Sequence, residues 1–254
     1  MWMILVGRSV LRAAALAFAA LAGGCAWLSP GPDTLAPPRD LPLVFPADQM
    51  SRWEPVLIPG KLRTAFSVER QQGRASLQAR SEGSASMLRQ RLQIEAQRLG
   101  RLSFEWQVKN LIEGADMTRR ESEDSPVRVV LAFDGDRSRF SARDAALNEL
   151  TRALTGEPMP YAVMMYVWSN DQPVGTVIPN PRTDRIRKIV VESGPARLGQ
   201  WLHYARDVRA DFEHAFGEAP QTLQSIAIMT DTDNTRGRTQ AWYGTITLEP
   251  AASR

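Results

Sequence analysis

The stretch Arg101-Leu102-Ser103-Phe104-Glu105-Trp106-Gln107-Val108-Lys109 alternates without a break between apolar and polar side chains. A period of two places Leu102, Phe104, Trp106 and Val108 on one face of an extended chain and Ser103, Glu105 and Gln107 on the other. It predicts a strand with one buried face. Val127, Val129, Leu131 and Phe133 repeat the pattern and stop at Asp134-Gly135, a turn pair. Tyr161 to Trp168 is apolar at nearly every position, as expected of a central strand covered on both sides. Ile186–Ser193, Leu223–Thr230 and Trp242–Glu249 read as further strands, and Thr64–Glu69, Ala75–Arg80 and Met87–Ile94 as weaker ones.

Two helices interrupt the strands. Ser141 is placed to cap the first, with Asp144 three residues on and Gly156 at its end. Leu147, Leu150 and Leu154 share one face of it, which predicts a buried stripe that Leu150→Asp would disrupt. The second is expected to follow a strand that gives way near Asp207, and to end at Gly217. Many strands and few helices predict a mainly β fold: a single jelly-roll-like β-sandwich with two short helices.

The amino terminus reads as an address. Arg8 and Arg12 precede an uncharged apolar run, and Gly23-Gly24 lead into Cys25, the sole cysteine. The order of basic residues, apolar run and small residues is that of an export signal. The 12 residues between Arg12 and Cys25 are too few for a spanning helix of about 20. Leu21-Ala-Gly-Gly-Cys25 resembles a bacterial lipobox, and the resemblance implies lipidation of Cys25 and, with Ala26 rather than Asp following, sorting to the outer membrane with the domain in the periplasm. Residues 1–24 are then a signal peptide. Residues 25–50 are a lipidated, proline-rich tether carrying Pro30, Pro32, Pro37, Pro38, Pro42 and Pro46. Residues 51–254 are the sandwich. Past Arg8 and Arg12 the chain holds 29 basic and 28 acidic residues of the 31 and 28 in total. This near-balance gives no support to a nucleic-acid partner.

Candidate chemistry is sparse. A phosphate-cradling glycine loop, a Gly-x-Ser-x-Gly elbow and a histidine pair at metal spacing are all missing from the sequence. The segment Ile228-Met-Thr-Asp231-Thr-Asp233-Asn234-Thr235-Arg-Gly237 concentrates carboxylates, an amide and hydroxyls behind an apolar strand. Asp231, Asp233 and Asn234 are therefore the expected polar centre of a ligand site, since loops after strands are where a rigid sandwich displays function. Oxygen ligands at alternate positions also suit Ca²⁺, but the glycine comes seventh and a distal Glu is missing, so no metal or other cofactor is expected. Trp168, at the end of a strand in Tyr166-Val-Trp168-Ser-Asn170-Asp171, is the expected aromatic contact, whereas Trp106 and Trp242 alternate with polar neighbours as inward-facing residues do.

Asp124-Ser-Pro-Val-Arg128, Phe133-Asp-Gly-Asp136, Tyr166-Val-Trp168, Ile189-Val-Val-Glu-Ser193, Arg206-Asp207, Asp211-Phe212, Ala215-Phe-Gly217, Met229-Thr-Asp-Thr-Asp-Asn-Thr235 and Ala241-Trp-Tyr243 occur in this order. Together they resemble the proteobacterial family labelled domain of unknown function 3047, over most of residues 53–249. The resemblance implies an exported β-sandwich, distantly similar to carbohydrate-binding modules of jelly-roll fold, and supplies no catalytic residues. The expected role is ligand binding, with a glycan or an envelope component as partner and the membrane reached through the lipid anchor. The alternatives are a structural or assembly partner in the envelope, or a polysaccharide-acting enzyme with carboxylates paired from Asp231, Asp233, Glu192 and Asp207.

Overall fold

The computed structural model describes residues 41–251. The expected signal peptide, Cys25 and the expected tether up to residue 40 lie outside the described residues. Fourteen strands are described. They are β1 (Leu43–Phe45), β2 (Glu54–Leu57), β3 (Ala65–Gln71), β4 (Arg74–Glu82), β5 (Ala85–Ile94), β6 (Leu99–Val108) and β7 (Ser125–Phe133). Then follow β8 (Ala162–Ser169), β9 (Val177–Asn180), β10 (Thr183–Ser193), β11 (Leu202–Asp207), β12 (Leu223–Asp231), β13 (Arg238–Tyr243) and β14 (Ile246–Pro250). Helix α1 (Ala142–Thr155) follows β7, and α2 (Val208–Phe216) follows β11.

The strands form two seven-stranded sheets. Sheet I runs β1-β14-β6-β13-β4-β3, with β11 also on β6. Sheet II runs β2-β5-β12-β7-β8-β10-β9, and its β8–β10 pair is parallel. The expected mainly β sandwich is thus the fold observed. Leu102, Phe104, Trp106 and Val108 of β6 lie in one core with Val127, Val129, Leu131 and Phe133 of β7 and Tyr166 and Trp168 of β8. These are the residues that the alternation placed on common faces.

Three details shift the expected outline. The sandwich begins earlier than residue 51, because β1 pairs with β14 through Leu43 opposite Leu248 and Phe45 opposite Ile246. The single strand expected over Trp242–Glu249 is β13 and β14 laid end to end on β6. Tyr243 faces Trp106 while Thr247 faces Ser103, so one extra residue is taken up at Gly244-Thr245, as in a β-bulge. Finally, all nine residues of β7 are buried rather than one face. Val130 and Ala132, on its far side, join a second apolar cluster with Val163, Ala227 and Met229.

Both helices start and stop for local reasons. The Ser141 hydroxyl accepts the Asp144 amide at 3.1 Å, and the Asp207 carboxylate accepts the Ala210 amide at 2.9 Å. Each helix ends on a left-handed glycine, Gly156 at φ 78° and Gly217 at φ 71°. Their packing differs. Phe212 of α2 lies in the main core, its ring centroid 4.6 Å from that of Phe133. The leucine stripe of α1 does not pack as expected: Leu150 is 54% and Leu154 61% exposed. The one buried residue of α1 is Asp144, whose carboxylate accepts the Ser141 and Thr183 hydroxyls. Polar contacts at its first turn thus anchor α1. The expected loss of stability in Leu150→Asp is corrected accordingly. The substitution should change stability by less than about 1 kcal/mol, read as the urea midpoint, because an exposed position carries only the helix-propensity cost.

Candidate functional site

β12 brings Asp231 to the end of sheet II, where its carboxylate meets a residue more than a hundred positions away. Arg128 on β7 donates Nε to Asp231 Oδ1 at 2.7 Å and Nη2 to Oδ2 at 2.8 Å. Both side chains are buried. Burial pushes the Asp231 carboxyl up to about 6, against the pull of Arg128 and with Asp124 and Asp233 adding repulsion. Asp233 pairs with Lys61. Asn234 and Thr235 are held by Asp124, which accepts their backbone amides at 3.2 and 2.7 Å and their side-chain donors at 3.1 and 2.6 Å. Behind them Glu123 accepts Lys188 and Arg182, each at 2.6 Å. Burial pulls the Lys188 ammonium down to about 8, with Glu123 opposing.

The structure therefore brings Asp231, Asp233 and Asn234 together, as expected, but turns them toward protein partners. Four acids, Glu123, Asp124, Asp231 and Asp233, share this corner with four bases, Lys61, Arg128, Arg182 and Lys188. The carboxylates of Asp124, Asp231 and Asp233 can each offer an oxygen within 4.8 Å of the others, a spacing that could hold a cation. Their oxygens already accept hydrogen bonds from Asn234, Thr235, Arg128 and Lys61, and the local charge is balanced without an added ion.

The other expected contacts are placed elsewhere. Trp168 is wholly buried, and its indole Nε1 donates to the Gly194 carbonyl at 3.0 Å. The exposure expected for its ring is corrected: β8 runs one residue further before the loop begins, and Trp168 points into the sandwich. Glu192 accepts the Tyr204 hydroxyl at 2.7 Å and Arg197 at 3.1 Å. Asp207 is spent on the α2 cap.

Aromatic rings and acids do meet, on the outward face of sheet I. The registers of β3, β4, β13 and β6 align Ser67, Gln78, Trp242 and Gln107 in one row across the strands. Trp242 thus faces outward, against the expectation that it shares the core with Trp106. Its inward neighbours Ala241 and Tyr243 take the core positions. The adjacent row along the strands is Glu69, Ser76, Gly244, Glu105 and His203. Trp242 Nε1 donates to Glu69, and Arg74 donates to Glu105 at 2.8 Å while its guanidinium lies 5.6 Å from the centre of the Trp201 ring. A Cβ at Gly244 would stand 2.2 Å from Cγ of Glu105, so only glycine lets that side chain lie across the strand. Gln107 donates to the Gly199 carbonyl, and among the described residues its buried Oε1 and the buried Trp201 Nε1 have no hydrogen-bond partner. The sequence carried part of this: Glu105 and Gln107 occupy polar positions of the most regular alternation in the chain. Nothing in it tied Glu69 or Trp201 to them.

A family profile described as "Protein of unknown function (DUF3047)" matches residues 51–247. The chain belongs to that family. The matched span holds both the charged corner around Asp231 and the outward face around Trp242, whereas β1 precedes it. No curated protein matches the sequence. Among solved structures, the endoglucanase cel12A from Rhodothermus marinus is similar over 83% of this chain and all of its own, at 10% identity and a TM-score of 0.42. The xylan-binding module CBM86 from Roseburia intestinalis is similar over 83% of this chain and 96% of its own, at 9% identity and a TM-score of 0.29. The glycoside hydrolase domain of Endo-D from Streptococcus pneumoniae R6 is similar over 78% of this chain, at 12% identity and a TM-score of 0.33. The aligned part is 22% of the length of that Endo-D chain.

Proposed function

We propose that this protein is an outer-membrane lipoprotein, anchored through Cys25, whose periplasmic β-sandwich binds a glycan across the outward face of sheet I. The observation that carries the reading is the company kept by Trp242. The Trp242 indole, two carboxylates and two glutamine amides lie on adjoining rows of one face, with the Trp201 ring beside Arg74 of that face, and a buried donor and a buried acceptor there have no partner among the described residues. Aromatic rings stack on sugar faces while carboxylates and amides take sugar hydroxyls, and this face carries all three groups.

The binding half is tested by affinity electrophoresis of the full chain in gels containing soluble polysaccharides. Wild type should be retarded, and Trp201→Ala should lose at least about tenfold in affinity while melting as a folded protein. A wild type that migrates freely in every polysaccharide gel would overturn it. The anchor is tested by fractionation. Wild type should sediment with outer membranes and Cys25→Ser should appear in the soluble periplasm, because more than one acyl chain gives stable attachment and none gives none. Identical partitioning of the two would remove Cys25 as the anchor.

A further inference from the structure

The outward face of sheet I continues past Trp242 into a groove of about 910 Å³. That volume is at the upper end of what small-ligand sites enclose. Its floor is the next row along the strands, Arg80 opposite Gln240, with Lys109 hydrogen-bonded to Gln240 at 3.3 Å. Arg63 and Arg238 stand on its walls, and Glu82 is its one acid.

The arginines here differ from the six that hold carboxylates elsewhere in the sandwich. Arg89, Arg91, Arg128, Arg182, Arg197 and Arg206 all hold carboxylates. The guanidinium groups of Arg63, Arg80 and Arg238 make no ion pair, hydrogen bond or ring contact among the described residues. Arg238 does not pair even with Glu82, which is directly opposite it in the register. Three free guanidinium groups and an ammonium around one groove repel one another, and an anionic ligand is what relieves that repulsion.

We infer that this groove binds the carboxylate groups of an acidic polysaccharide, a polyuronate in chemical class. The inference rests on the glycan reading above and names its substrate. The matching is one of spacing. Rows on one face of a strand are about 7 Å apart, so the cations of Arg80 and Lys109 stand one row from the amides and indole of Gln78, Gln107 and Trp242. A polyuronate carries carboxylates and hydroxyls side by side along its chain. The first suit the cationic row, the second the amide row. Planar guanidinium groups match carboxylates in two-pronged hydrogen bonds.

The test uses the full chain, with polygalacturonate as the acidic probe and hydroxyethyl cellulose as the neutral one. Wild type should bind polygalacturonate at least about tenfold more tightly than the neutral polymer, and added salt should weaken the binding by screening. Arg80→Gln combined with Arg238→Gln should remove that preference with no change in melting temperature, since both side chains are exposed. Trp201→Ala should weaken both polymers together. Equal binding of the two polymers, untouched by the arginine substitutions, would overturn the acidic assignment and leave the glycan reading standing. Binding to neither, whether or not double-stranded DNA or anionic phospholipid vesicles are bound instead, would overturn both.

Discussion

Asp231→Ala should cost about 3–5 kcal/mol of stability, the range for removing one partner from a buried ion pair. The Arg128 guanidinium would stay where it is, because its other contacts persist. It donates Nη2 to the Glu123 carbonyl at 2.7 Å and lies within 3.7 Å of the Met165 sulfur. It would then carry a positive charge that is 2% exposed and has lost both carboxylate hydrogen bonds. Ser125 would also lose the oxygen that accepts its amide at 3.3 Å. Asp231→Asn keeps one acceptor and should fall between the two. The measurement is the urea midpoint at unchanged slope, together with polysaccharide binding by the protein that remains folded. Binding should persist. A variant of wild-type stability that had lost all binding would return the site to the acidic loop, where the sequence first placed it.

Trp168→Ala should be about as damaging, at about 3–5 kcal/mol, as large aromatic truncations in cores are. The ring is among the largest fully buried side chains of the protein. Its removal would leave a cavity between the sheets and strip the Gly194 carbonyl of its indole donor. Trp168→Phe retains most of the volume and loses only the donor, so it should recover part of the loss. Thermal melts of the three proteins give the ranking. If Trp168→Ala melted like wild type while polysaccharide binding vanished, the ring would be a surface contact and its place in the core would be refuted.

The two tryptophans show where a sequence stops being informative. Trp106 and Trp242 were both expected inward, but only Trp106 has polar residues on either side of it in the chain. Alternation sorts a strand into two faces but does not say which face meets the other sheet when both carry large residues. In β6 the choice is plain, because Ser103, Glu105 and Gln107 are polar. In β13 it is not, because Ala241 and Tyr243 are as suited to a core as Trp242 is. The pairing of Trp242 with Gln107 and Gln78 resolves it. The leucine stripe of α1 makes the same point for a helix: the period was read correctly, but Leu150 and Leu154 face solvent.

Local chemistry was legible throughout. The cap at Ser141, the stops at Gly156 and Gly217 and the strand-to-helix change at Asp207 depend on a few adjoining residues, and the structure has each where the sequence put it. The alternating runs likewise determined a mainly β chain before any pairing was known. What only the tertiary structure decided is who answers whom across long separations. Asp231 meets Arg128 at 103 positions and Trp242 meets Glu69 at 173. Arg80 stands opposite Gln240 with no acid to pair it. A charge carries no mark in the sequence of whether its partner is protein or ligand. Its energy depends on the burial and the neighbours that folding supplies, and those are set by sheet register, not by the residues beside it in the chain.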